Sequence, residues 1–433
     1  MTAAAESRST GDFPLDREHA VTLDSTDPLA PLRARFLTHR AEDDRPRPIY
    51  LDGNSLGRPT AGTVSRLAHV AEQEWGQGLV RSWSHWIDLG ARVGDLIGEH
   101  LLGAAAGQVV ISDSTTVNLY KLAAAAIDAR PGRRVIVTDD DNFPTDRYVL
   151  EGLAARHDLE LRLLPTDIDA GLGLDALRAA VGPDTALVCL SHVAYRSGAL
   201  LDMGAVNRIV HDAGALVLWD LCHAAGAVPV ELDATAADLA VGCSYKYLNG
   251  GPGAPAFLYV RHDLQESLRQ PIWGWFGRRD QFAMGQGYDP APGLGSFLSG
   301  TPPILPIAAT EEGVRVLAEA GIDRLRAKGA LLTSYLIVLA DAWLPELRLA
   351  TPREPARRGS HVTLAHPDAW RITQALIERA NVIPDYRTPD RLRLGPAPIC
   401  TSFVDVWDAM DRLRGILRTR AYEDFPATPT RVT

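Results

Sequence analysis

Lys246 is the residue whose type and placement say most about what this chain could do. Three lysines, Lys121, Lys246 and Lys328, stand among 44 basic residues, so arginine serves almost wherever a positive charge suffices. A lysine amine can form an imine with an aldehyde and a guanidinium cannot, which makes a retained lysine a candidate for covalent chemistry. Lys246 follows Tyr245 just beyond the apolar run DLAVGCS (238–244). A neighbouring run, ALVLWD (215–220), ends on Asp220 and is followed by His223. If adjacent strands carry them, an amine, a phenol, a carboxylate and an imidazole meet at one edge. Lys121 and Lys328 read as ordinary helix-surface residues.

The elements that must position these groups follow from periodicity. Seven β-rich runs, at 108–112, 133–139, 159–164, 186–191, 215–220, 238–244 and 256–260, are mostly separated by helix-like stretches. That succession predicts an α/β fold, with a mostly parallel seven-stranded sheet sandwiched by helices. The near-continuous apolar character of several runs agrees with burial on both faces. After Thr301-Pro302-Pro303 the order changes to two long helices (306–319 and 322–340), strands near 346–350 and 360–365, a helix, strands near 381–386 and 391–395, and a final helix (402–418). The expected organisation is a mobile arm over 1–25, an N-terminal segment and large domain over 26–300, a smaller α+β domain over 301–420, and a tail over 421–433.

Open parallel sheets bind ligands at the carboxyl ends of their strands. There the run Ser112-Asp113-Ser114-Thr115-Thr116 opens a helix, whose free N–H groups and dipole favour a phosphate. Asn142-Phe143-Pro144-Thr145-Asp146 supplies a ring able to stack and a second acid. An amine for an aldehyde, a carboxylate for a ring nitrogen and a phosphate site together make the set that pyridoxal 5'-phosphate requires. Lys246 is followed by Tyr-Leu-Asn-Gly-Gly-Pro-Gly, whose glycines allow backbone to approach a ligand closely.

The segments LDGNSLG (51–57), STTVNL (114–119), FPTD (143–146), SHVAYRSG (191–198), WDLCHAAG (219–226), SYKYLNGGPG (244–253), GWFG (274–277), GTPP (300–303) and RLRLGPAPI (391–399) resemble, in order, the signatures of kynureninases. The resemblance implies the aspartate-aminotransferase-like fold (fold type I of pyridoxal phosphate enzymes) and a homodimer with active sites at the subunit interface. It implies hydrolytic cleavage of the Cβ–Cγ bond of L-kynurenine or its 3-hydroxy form, in tryptophan catabolism. By matching position, Lys246 would carry the cofactor as a Schiff base, Asp220 would pair with the pyridinium nitrogen and Tyr245 would relay protons. Phe143 would stack on the ring, and Thr115, Thr116 and Tyr245 would hold the phosphate. Asp146, Ser191 and His223 would complete the polar shell, with Trp275 and Thr301 reaching in from the partner. Arg393 would bind the substrate carboxylate, and Asn54, Ser55 and Trp83 would lie near its side chain. Forms of the family that favour the unsubstituted ring resemble this chain's Trp83 and Thr301. The chain departs from the family pattern at Pro384 and at Ile399-Cys400.

A net charge of -10 and a pI near 5.7 argue against nucleic acid or anionic membranes as partners. No apolar run approaches a membrane span, and the expected location is the cytoplasm. Cys189, Cys222, Cys243 and Cys400 lack metal-ligand spacing and read as reduced core thiols, with no metal expected. Three competing readings are another reaction of the same cofactor, a silent cofactor-binding protein, and an enzyme of a specialised pathway acting on a substituted kynurenine. Desulfuration would need a thiol in a flexible loop, which this sequence lacks.

Overall fold

The computed structural model describes residues 13–38 and 46–428. Seven strands form the main sheet: β1 (Val109–Ile111), β2 (Val135–Asp139), β3 (Glu160–Leu164), β4 (Thr185–Ser191), β5 (Leu216–Asp220), β6 (Leu239–Gly242) and β7 (Phe257–Val260). Their spatial order is β1-β7-β6-β5-β4-β2-β3, and β7 alone runs against the others. Strand alternation divides the sheet's side chains between two cores. Val188, Leu190, Val217 and Trp219 enter one cluster, and Leu187, Cys189, Leu216 and Leu218 the other. Both faces are buried, which explains the unbroken apolar runs.

A second sheet of four antiparallel strands lies toward the C-terminus: β8 (Arg348–Leu349), β9 (Val362–Ala365), β10 (Asp385–Arg387) and β11 (Arg391–Leu394), in the order β10-β11-β9-β8. Helices Ile322–Trp343, Ala369–Ala380 and Phe403–Thr419 cover it and share its core. Among the described residues no helix is long and apolar enough to cross a membrane.

Four sequence expectations need correction. Of the arm expected over 1–25, residues 1–12 lie outside the described residues, but Arg17–Ser25 is a helix. Its Ala20 is buried in the small sheet's core, and Asp24 accepts the N–H groups of Phe403 and Val404 at 2.9 and 3.0 Å, capping a helix far along the chain. The tail is likewise anchored at its start, where Tyr422 is buried; residues 429–433 lie outside the described residues. The segment grouped by sequence with the large sheet instead joins the C-terminal part: Ile49–Tyr50 and Val382–Ile383 form a separate two-stranded parallel sheet, and Gly53 N–H donates to the Gly395 carbonyl just after β11. Lys121 and Lys328 are not surface residues. Lys121 Nζ, fully buried, donates to Asp113 and to the Phe297 carbonyl, and buried Lys328 donates to buried Asp27 at 2.7 Å. All four cysteines are free and buried.

Candidate active site

The carboxyl edge of the main sheet gathers the residues that carry chemistry. Parallel register sets Ser191, Asp220 and Val241 side by side at the ends of β4, β5 and β6, and the chain leaving β6 reaches Tyr245 and Lys246 within a few residues. Helix Thr115–Asp128 begins at the same edge, capped by the Ser114 hydroxyl. Helix Pro144–His157 begins just after Phe143, where proline at the first position favours the turn. Thr115, Thr116, Phe143, Asp146, Ser191, Asp220, His223, Tyr245 and Lys246 line a single cavity of about 230 Å³.

Inside it, Lys246 Nζ is 3.2 Å from His223 Nε2 and 5.9 Å from the centroids of the Phe143 and Tyr245 rings. The Cys222 N–H donates to Asp220 Oδ1 at 2.7 Å, and Ser191 Oγ donates to Asn142 Oδ1 at 2.7 Å. Asp146 is fully buried, with Oδ2 lacking a partner. Burial, then the charge of Asp220, push its carboxyl well above the usual range, so Asp146 keeps its proton. Burial and then Lys246 push His223 well below the ordinary imidazole range, so it is neutral. The Tyr245 phenol is pushed up by burial and by Cys243, and stays protonated. Tyr195 also lines this cavity and Asn142 supports it through Ser191, residues that the sequence motifs contain without a role attached; Tyr195 meets the Phe143 ring edge-on at 5.3 Å. Their position a few residues beyond strand ends was the signal available.

Arg393, Asn54 and Ser55 form a second group. The guanidinium is buried: Nη1 donates to the Tyr195 carbonyl at 2.6 Å, and Nη2 to Ser55 Oγ at 3.1 Å and to Asp385. With its amide oxygen turned inward, Asn54 accepts from Arg393 Nε at 2.8 Å. Pro384 sits in the short link before β10 and Cys400 is packed in the core, so neither departure interrupts this network. Trp83, Trp275 and Thr301 do not join the Lys246 cavity. Trp83 packs on Trp86 and lies 6.1 Å from Phe276, which Trp275 also touches. Thr301 lines a neighbouring cavity of about 580 Å³ that shares Ser114, Gly253 and Ala254 with the first. Trp86, one turn from Trp83, is buried with its N–H on Glu74 at 2.6 Å.

Pyridoxal 5'-phosphate fits the donor set. The first-turn N–H groups of a 14-residue helix face a phosphate position beside two threonine hydroxyls, and they have no acceptor within the helix itself. The unpartnered oxygen of Asp146, beside Asp220, marks a polar floor built for more than packing. Lys246 Nζ points at the same volume, with a neutral imidazole as its hydrogen-bond partner.

Known proteins agree. A model of the kynureninase C-terminal domain matches residues 325–413, and one of the DegT/DnrJ/EryC1/StrS aminotransferase family matches residues 84–235. Kynureninases of Burkholderia pseudomallei (strain K96243) and Pseudomonas fluorescens are 45% and 44% identical over 416 residues, covering 94% of this chain and 96% of theirs. Among solved structures, the cysteine desulfurase CsdA of Escherichia coli superposes with a TM-score of 0.76 at 16% identity, covering 90% of this chain and 98% of its own. A mutant of C-DES with glycine covalently linked to its PLP cofactor gives 0.75 at 17% identity, covering 85% and 96%. These structures share the fold, that of fold type I pyridoxal phosphate enzymes. The near-full-length identity is more specific, and on it the chain belongs to the kynureninase family.

Proposed function

We propose that this chain is a pyridoxal-phosphate-dependent hydrolase that cleaves the Cβ–Cγ bond of L-kynurenine with water, giving anthranilate and L-alanine. The observation that carries the reading is Lys246 Nζ, 3.2 Å from a neutral His223, in a cavity floored by Asp220 and a protonated Asp146. When bound, the cofactor supplies a protonated ring that accepts the electrons released at the substrate's Cα.

The chain's own residues do the rest. Thr115 and Thr116, with Tyr245, would hold the phosphate, Phe143 would cover one ring face, and Ser191 and His223 would meet the remaining polar edge. Asp220 would hold the proton on the ring nitrogen, with neutral Asp146 behind it. The Lys246 amine removes the Cα proton of the bound amino acid. Tyr245, protonated at neutral pH, passes its Oη proton to the carbon fragment as the Cβ–Cγ bond breaks. Arg393 would receive the α-carboxylate, its guanidinium steadied by Asn54, Ser55 and the buried Asp385. The reading includes a cytoplasmic homodimer in which Trp275 and Thr301 meet the partner's site. The exposed Trp273, Phe282 and Met284 near Trp275 supply an apolar surface for such a contact.

A desulfurase reading finds no support in the thiols, since all four are buried. Incubation of the purified protein with L-kynurenine tests the proposal: anthranilate and alanine should appear in equal amounts. Trp83 and Thr301 resemble the forms of the family that favour the unsubstituted ring, and an indole has no acceptor for an added hydroxyl, so 3-hydroxykynurenine should have the lower kcat/KM, by about 1–3 kcal/mol in transition-state binding. Failure to release alanine from either substrate overturns the reading.

A further inference from the structure

His361 is a buried, uncharged imidazole that the steps above do not use. It is fully buried, and neither ring nitrogen has a hydrogen-bond partner. The Arg196 carbonyl lies near the ring without meeting either nitrogen in a hydrogen bond. A residue retained for packing alone would do better without polar atoms, because a buried polar group left unpaired costs stability.

Its position suggests what satisfies it. His361 immediately precedes β9, and Thr363, two residues on, is paired with Arg393 of β11. Strand alternation therefore places His361 on the sheet face that carries Arg393. On its other side the ring centre is 5.7 Å from that of His223, the hydrogen-bond partner of Lys246. Burial, then the charges of Arg393 and Lys246, push the imidazole well below its ordinary range, so it is neutral. The local backbone makes room for the ring. Gly198 has φ of +75°, and a Cβ there would come within 3.1 Å of His361 Nε2.

Lys246 and Arg393 are the groups that would meet the amino and carboxylate ends of an α-amino acid. We propose that His361 is a substrate-binding residue, donating one ring N–H to the α-carboxylate that Arg393 also receives. The inference rests on the function proposed above for the site as a whole.

Calorimetric titration of holoenzyme with L-alanine, with KM and kcat for L-kynurenine alongside, tests it. His361→Phe should weaken L-alanine binding and raise KM by about tenfold or more, the loss of one hydrogen bond to a charged group. The kcat, the cofactor absorbance and the melting temperature should stay near wild type. His361→Gln, which keeps an N–H donor, should recover most of the affinity. His361→Met fills the space with a flexible apolar chain and should repeat the Phe result. Unchanged L-alanine affinity in the Phe or Met variant overturns the proposal. So does loss of cofactor or folding in both, or an equal loss in the Gln variant, since each marks a packing role. A wild type that binds L-alanine through His361 but leaves L-kynurenine intact would sink the function instead.

Discussion

Asp146 keeps its proton because it is buried beside a second carboxylate, Asp220, which closes the floor of the cavity and is the carboxylate proposed to meet the ring nitrogen. Asp220→Asn should therefore slow exchange of the L-alanine Cα proton with deuterated water by orders of magnitude, followed by proton NMR on holoenzyme. A rate equal to wild type would remove Asp220 from the role. Lys246, Asp220 and His223 could be placed at one sheet edge from sequence because each stands at the end of an apolar strand or a few residues beyond it. Lys121 and Lys328 were misread for a physical reason. Lysine is seldom fully buried unless paired, and the partners Asp113 and Asp27 cannot be recognised from local pattern. Trp83 and Trp86 likewise differ by one helical turn in sequence, and only packing shows that Trp86 is committed to Glu74.

Elements were easier to read than their connections. All seven runs became strands of the main sheet, and the succession after Pro303 became the helices and strands expected there, except that the run near 381–386 is divided at Pro384 into Val382–Ile383 and Asp385–Arg387, which belong to different sheets. Spatial order was not legible, because β7, the one antiparallel strand, is as apolar as its neighbours. Helix Arg17–Ser25 was read as an arm because its own sequence is polar; its stability comes from tertiary contacts, in line with the marginal stability of short isolated helices. The nearby Lys328–Asp27 pair fixes the following turn against helix Ile322–Trp343. Lys328→Ala, which leaves a buried carboxylate short of its main partner, should cost about 3 kcal/mol in chemical denaturation. Replacing both residues with apolar ones should cost much less, and equal losses would show that the pair is not what matters. At the end of β4, burial holds His192 down to about 4. The unfolded chain takes up that proton near pH 6.5 and the folded one resists it to about 4, so its stabilising contribution is present above 6.5 and lost through that window. The melting temperature of His192→Gln relative to wild type should thus rise as pH falls from about 7.5 to 5. A difference independent of pH would contradict this.

At the scale of the molecule, two sheets with separate cores meet where Arg393 donates to the carbonyl of the cavity-lining Tyr195, and the N-terminal segment bonds to both sides, Gly53 N–H to the Gly395 carbonyl and Gly57 N–H to the Tyr245 carbonyl. Residues 49–55 run on from the strand Ile49–Tyr50, paired with Val382–Ile383, and deliver Asn54 and Ser55 to Arg393, a long-range closure that no local signal in LDGNSLG reveals. The whole chain carries three lysines, two of them engaged in buried ion pairs. Lys246 is the one that opens on the cavity. That census makes the most direct test unusually clean: borohydride reduction of the purified holoenzyme, followed by peptide mapping. A pyridoxyl group is expected on Lys246 and none in Lys246→Ala; a label on Lys121 or Lys328 would place the imine elsewhere and remove Lys246 from its role.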